Sequence, residues 1–415
     1  MSSCTATTTF YLLLLAMVAT AGCTRESEMV QAARAAVLQA RNWARAYSIG
    51  PNDDLNYIHD GDHAHREALR ECAGLYEVSE SRLAELLVGG ENYTVDDARA
   101  WLSGVLAYHS ACLDGLEETG FDKSHAGAQN LSVLVGEALS LYAKHRGSRR
   151  PSANSKADFV VAHDGSAGTH KTINGALAAL TRMGQNRPQR VIIYVKSGIC
   201  RENVEIQHHM KNLMFVGDGT DKTIVTGSRN VPDGTTTTGI WGDGFWARDM
   251  TFENTVGPHQ AVALRVASDL SVIYRCSFKA YQDTLFTLSL RQFYRDCHIY
   301  GTINFIFGDV AAVFQNCDIF VRRLMDHQAN MITAQGRDHP ESNTGISIIG
   351  SFALSTLYYA EYLNKGVGAL TANRVKWNGF HVLNNAEEAS PFTVSRFIHG
   401  ENWIPETGVP FSLEI

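Results

Sequence analysis

The chain has 415 residues, 45% of them apolar and 19% charged, with a net charge of −7 at neutral pH. That length holds more than one folded domain, and the composition is that of a globular protein rather than a disordered or fibrous one. The mild negative charge argues against a nucleic-acid partner held by phosphate neutralisation.

Residues 10–18 (FYLLLLAMV) form a short apolar run followed by Ala19, Thr20 and Ala21. This order reads as the core and small-residue cleavage site of a secretory signal peptide over residues 1–22. The run is short for a membrane span, so no stable membrane anchor is expected. No Lys or Arg precedes it, which leaves an uncleaved signal anchor as the alternative. A secreted chain can form disulfides. There are eight cysteines; Cys4 leaves with the signal, and the odd remainder keeps at least one thiol unpaired in the monomer. Asn92-Tyr93-Thr94 and Asn130-Leu131-Ser132 are acceptor triplets for N-glycosylation, in keeping with a secreted glycoprotein.

Residues 24–145 read as an all-helical domain. Met29, Ala33, Val37 and Ala40 recur at helical spacing. Asp96 or Asp97 is placed to cap a helix that carries Trp101, Val105, Tyr108 and Cys112 inward. Leu131, Leu134, Ala138 and Leu141 form a further stripe. Helices joined by short loops predict an antiparallel bundle, and the stripes by themselves indicate core packing alone. Residues 146–157 are a polar linker. Arg149-Arg150 within it offers a processing site, although Pro151 follows directly.

From residue 158 to 415 the pattern is that of strands. Val191 to Val195 is a β-branched run with a glycine soon after it. Four segments then share one shape: Asp249-Met250-Thr251-Phe252, Arg275-Cys276-Ser277-Phe278, Asp296-Cys297-His298-Ile299 and Asn316-Cys317-Asp318-Ile319. Their spacing, somewhat over 20 residues, is the period of one coil of a parallel β-helix. Strand alternation sends the sulfur residue and the Phe or Ile to the same face, the interior. Cys276, Cys297 and Cys317 are then buried small hydrophobes. A Cys297–Cys317 bridge between adjacent coils is the other reading.

Two segments carry the chemistry. Tyr281-Gln282-Asp283-Thr284-Leu285 is followed by Gly301-Thr302-Ile303-Asn304-Phe305-Ile306-Phe307-Gly308. Together they resemble the active-site segments of plant-type pectin methylesterases, and collinear likeness runs from Phe159 to Ile415. It includes Gln260 to Arg265, Ile332 to Arg337 and the closing Trp403-Ile404-Pro405. The resemblance implies a right-handed parallel β-helix that hydrolyses galacturonate methyl esters of pectin in the cell wall, without cofactor or metal. It assigns Asp283 as general acid and then base, position 304 as nucleophile, and Gln282 and Gln260 as oxyanion donors and substrate contacts. Glutamine suits that role because its amide donates without titrating. Alone, Asp283-Thr284 is a turn signal and Gln260 a surface polar residue; the motif context gives them an active-site reading. Phe305 and Phe307 read as core and cleft wall. His163, His208 and His209 lack a third partner at metal-ligand spacing.

The helical stretch resembles the inhibitor-like region that precedes many of these enzymes, through Trp101-Leu102-Ser103, Cys112-Leu113-Asp114-Gly115 and the separation of Cys72 from Cys112. That resemblance implies a Cys72–Cys112 disulfide between two bundle helices. It also implies a contact between this domain and a catalytic domain, within the chain or between chains. The family's first cysteine-paired hairpin is missing, which implies a bundle truncated at its N-terminus. Cys200 stands where the family usually has an aromatic residue, making it a candidate for the unpaired thiol.

Two departures bear on activity. The family has aspartate where this chain has Asn304, and a carboxamide has neither the charge nor the basicity of the nucleophile. The family's Leu-Gly-Arg-Pro-Trp segment, whose arginine orients the nucleophile and whose tryptophan lines a sugar subsite, has no counterpart after Gly350. The family carries roughly 50 further residues at the Gly350-Ser351 join, about two coils. The expectation is an impaired esterase. The alternative is a non-catalytic pectin-binding or pectinesterase-inhibiting protein. A β-helix lyase or glycosidase ranks last, since neither a calcium cleft nor paired glycosidase carboxylates are evident.

Overall fold

The computed structural model describes residues 25–48, 60–88, 93–120, 130–142, 157–166, 169–229, 236–325, 327–337, 339, 342–349, 359–361 and 380–414. The expectations on residues 1–22, on most of the linker, on Asn92 and on the Gly350-Ser351 join lie outside them. The chain divides into two compact units, 1–147 and 148–415.

Among the described residues the first unit holds four helices: α1 (Arg25–Ser48), α2 (Asp60–Val88), α3 (Val95–Glu118) and α4 (Leu131–Tyr142). Each packs on two others, closing a ring in the order α1, α2, α3, α4. The α1 stripe is Val30, Ala33, Val37, Ala40 and Ala44, all fully buried. Small residues at this spacing let neighbouring backbones approach. Met29 is only half-buried, because the stripe begins one residue later than its spacing predicts. In α4 the same ambiguity places Val135 and Leu139 inward instead of Leu134 and Leu141. The α3 cap is Thr94, not Asp96 or Asp97. Thr94 Oγ1 accepts from Asp97 N at 3.1 Å while Asp97 Oδ2 accepts from Thr94 N at 2.8 Å, a reciprocal capping box. Cys72 and Cys112 form a disulfide between α2 and α3, with Cα atoms 4.8 Å apart. Closing this 40-residue separation stabilises the unit by roughly 4 kcal/mol on a chain-entropy estimate.

In the second unit, parallel strands recur in three sheets of eight, six and six. Leu264 pairs with Leu285 and Leu285 with Ile306, each a step of 21 residues. This is the stack of coils that the repeat predicts. Met250, Phe252, Cys276, Phe278, Cys297 and Ile299 are fully buried in one core. Cys297 and Cys317 are free thiols, as are Cys200 and Cys276, so the bridge reading for Cys297–Cys317 gives way to packing as hydrophobes. Asp249, Arg275, Asp296 and Asn316, one place before each sulfur residue, all have positive φ between 49° and 59°. A left-handed residue thus turns the chain into each strand of this row.

The helix Ile173–Met183, capped by Thr172, buries Ile173, Ala176, Leu177 and Leu180 onto the first coils. At the far end the last strands of the three sheets among the described residues are Asp318–Val321, Thr333–Gln335 and Gly345–Ile349. There Cys317, Ile319, Ile332, Ile346 and Ile348 are only partly buried. Tyr359–Glu361 pairs with Phe380–Val382, again 21 residues on, in a separate two-stranded sheet. Val394, Ile398, Trp403, Ile404 and Val409 pack on the outer face of the eight-stranded sheet against Trp246, Val272, Phe293 and Val313.

Candidate active site

The two motif segments occupy successive coils. Asp283 N donates to Ile303 O at 3.0 Å and Leu285 N to Phe305 O at 3.0 Å. The Leu285–Ile306 register, carried two places back, sets Asp283 beside Asn304. Both are left-handed, with φ of 63° and 48°. Gln260 forms a parallel bridge with Gln282, so the glutamines sit on neighbouring coils one position before the Asp283–Asn304 pair. Leu264 lies four positions after Gln260, but Leu285 only three after Gln282. The extra residue is a bulge, marked by Ala263 N and Leu264 N both donating to Thr284 O. Residues from three successive coils are thereby brought together.

Local chemistry explains the fixed residues around them. Thr284 is fully buried, and its hydroxyl reaches Tyr300 O at 2.8 Å and Tyr281 O at 3.2 Å. It ties the corner of one coil to the next. A Cβ at Gly301 would stand 2.2 Å from Phe305 Cβ, and one at Gly308 would stand 2.2 Å from Thr287 O. The octet is therefore bounded by glycine because the chain folds tightly onto itself at both ends. Phe305 is fully buried, whereas Phe307 is half-buried and stacks on Phe286 with centroids 4.2 Å apart. These are the core and wall positions the sequence predicts.

Asp283 is 5% exposed. Gln260, Gln282 and Asn304 are half-buried, and their side chains have no hydrogen-bond partner among the described residues. Such amides present donors and acceptors to whatever enters the cleft. Beyond Phe286 the same outward row continues to Arg265, whose guanidinium lies 4.6 Å from the Trp241 ring centroid and 3.3 Å from Glu205. Arg337, downstream, is exposed and donates to His339 O at 3.3 Å and from its backbone to Gln335 Oε1. No arginine bonds to Asn304 among the described residues.

Sequence reasoning missed the Tyr281, Tyr300 and Arg322 cluster next to this site. The Gly301–Val321 register puts Arg322 one coil after Thr302, so counting a coil forward from the octet finds it.

A family model described as pectinesterase matches residues 158–351 and 349–401. One described as plant invertase/pectin methylesterase inhibitor matches residues 2–141. A probable pectinesterase/pectinesterase inhibitor 36 of Arabidopsis thaliana is 49% identical over 510 aligned residues, covering 98% of this chain and 97% of that protein. Pectinesterase 2 of Citrus sinensis is 40% identical over 423 residues, covering 84% of this chain and 82% of its own length. Among solved structures, a pectin methylesterase from carrot superposes with a TM-score of 0.59 at 42% identity. It covers 64% of this chain and 100% of the carrot chain.

Proposed function

The chain belongs to the pectinesterase family, with an inhibitor-like helical domain ahead of the β-helix, and from that premise we propose that its inherited reaction is hydrolysis of galacturonate methyl esters of pectin, much weakened here. The single observation behind this reading is the register that sets Asp283 beside Asn304 with Gln260 and Gln282 adjacent.

In a family member with aspartate at position 304, a carboxylate oxygen attacks the ester carbon. The glutamine amides donate to the developing oxyanion, and the Asp283 carboxylic acid protonates departing methoxide. Water, deprotonated by Asp283, then cleaves the acyl intermediate and restores both groups. Asn304 has no anionic oxygen, so the first bond does not form. What remains is Asp283 acting as base toward a water on an ester held by the glutamines. Loss of a nucleophile lowers turnover by on the order of 10⁴ to 10⁶ in a well-studied hydrolase.

The proposal includes coils lost after Gly350. In support, the alignment to the Arabidopsis relative runs over 510 residues although the chain has 415. In further support, the 21-residue step recurs between Tyr359–Glu361 and Phe380–Val382, a pair of strands that joins none of the three long sheets among the described residues. Secretion to the cell wall, cleavage of residues 1–22, and a contact of the helical domain with a catalytic domain, its own or another chain's, belong to the same reading. Non-catalytic pectin binding is the second reading, favoured by Asn304 among otherwise retained cleft residues.

The test is methanol release from methyl-esterified pectin by the purified chain, beside a relative with aspartate at this position. The expected rate is lower by at least about 10⁴-fold, the lower edge of that range. A comparable rate refutes the account of Asn304.

A further inference from the structure

An open groove of about 460 Å³ is lined by Pro258, Tyr281, Arg322, Arg323, Leu324 and Met325. Tyr281 immediately precedes Gln282 and Asp283, and Pro258 lies two residues before Gln260, so the groove adjoins the reacting position. Arg322 follows the strand Asp318–Val321, and its backbone N–H donates to Gly301 O at 2.7 Å. Its guanidinium lies 4.7 Å from the Tyr281 ring centroid and 5.6 Å from that of Tyr300. Tyr300 is in turn stacked on Phe320 at 4.5 Å. Ring faces of this kind hold the flat sides of a guanidinium and leave its N–H edge for an acceptor.

The other ring-stacked arginines nearby are differently placed. Arg265, over Trp241, is paired with Glu205 at 3.3 Å, and Arg275, over Tyr274, with Asp249 at 2.7 Å. Arg322 and Arg323 have no carboxylate partner among the described residues. A positioned cation with no carboxylate partner among the described residues, at the wall of a groove beside an ester site, is suited to an anion from outside.

We infer that Arg322 binds a free carboxylate on one sugar of the acidic polysaccharide whose esterified unit lies at Asp283 and position 304. This rests on the proposed pectin reading and adds a preference to it. The charge-assisted hydrogen bond forms only with the acid and not with its methyl ester, so the groove selects a partly de-esterified chain over a fully esterified one. Exposed Arg323 adds attraction screened by salt.

Calorimetric titration of the full chain tests this with two galacturonate oligomers of equal length, one fully methyl-esterified and one fully de-esterified. The expected result is tighter binding of the acidic oligomer, weakened by added salt. Arg322→Gln is expected to lose roughly tenfold in affinity for the acidic oligomer and nothing for the esterified one, and Arg322→Lys to recover part of the loss. Equal losses on both oligomers, or no loss, overturn the role of Arg322 while leaving pectin binding in place. If neither oligomer binds the unmodified chain, the pectin reading falls and this inference with it. Should Arg322→Gln not fold, the unmodified chain decides alone: no preference for the acidic oligomer, or a preference insensitive to salt, overturns the inference.

Discussion

Asn304 has φ of 48°, a conformation that costs most side chains about 1–2 kcal/mol and that asparagine and aspartate tolerate. The backbone therefore accepts either residue, and the coil forms whether or not the nucleophile is present. Asn304→Val is expected to lower the unfolding free energy by about 1–2 kcal/mol, and Asn304→Gly to change it by less than about 0.5 kcal/mol. Urea unfolding followed by circular dichroism measures both; equal stability of the valine variant would remove the backbone argument. The thiols show the same separation between packing and chemistry. Burial pushes the Cys276 thiol up to about 12 and Cys297 well above the ordinary thiol range. Since the thiolate is the reactive form, native alkylation at pH 8 is expected to label half-buried Cys317 and to spare Cys276 and Cys297 until the protein is denatured. Labelling of Cys276 at the rate of Cys317 in folded protein contradicts this. At this scale the chemical identity of Gln260, Gln282, Asp283 and Asn304 was legible, because rare residues recur in motif context. The positive φ shared by Asp283 and Asn304 was not, since nothing in a side chain's type announces the dihedral it adopts.

Successive strands of the β-helix are held at their corners, and Thr284 is one such fastening. Its hydroxyl bonds a carbonyl in its own turn and one in the next coil. Thr284→Val keeps the shape and leaves the Tyr300 carbonyl without that donor. The expected cost is about 1–3 kcal/mol, read as a lower urea midpoint with unchanged slope; an unchanged midpoint would show that Thr284 does no fastening. The coil period was visible because Met250, Cys276, Cys297 and Cys317 each precede a large apolar residue by two. The corners were not, because Arg275 is a poor sequence signal for a left-handed turn and only the stack of Asp249, Arg275, Asp296 and Asn316 reveals it. The helices tell a similar story. Helical spacing identifies a stripe but leaves its phase open by one residue, so Val30, Val135 and Leu139 displaced Met29, Leu134 and Leu141. The α3 cap was read from acidity, whereas the hydroxyl of Thr94 makes the bond and Asp97 answers it.

On the scale of the whole molecule, the proposed reading makes the loss of coils and the Asn304 substitution separate defects in one catalytic unit. A coil stack is quasi-one-dimensional, so each coil is stabilised by its neighbours and removal of whole coils leaves the rest stacked. The fully buried core through Cys297 and Ile299 fits that expectation, and Cys317, Ile319, Ile346 and Ile348 pack against it partly buried. Catalysis is less modular. Nucleophile, orienting group and oxyanion donors act together, and their contributions are grossly non-additive. Asn304→Asp supplies a carboxylate beside Asp283 but no arginine to orient it. Inserting the family's two coils at Gly350-Ser351 supplies the arginine and the aromatic subsite but leaves an amide at the attack position. Each change alone is expected to recover little activity, and both together far more than their sum. Initial methanol release from one pectin preparation, measured for the four proteins after circular dichroism has shown each to be folded, decides it. Near-full recovery from Asn304→Asp alone would mean that the shortened stack already builds a working cleft and that the added coils contribute nothing essential to the chemistry.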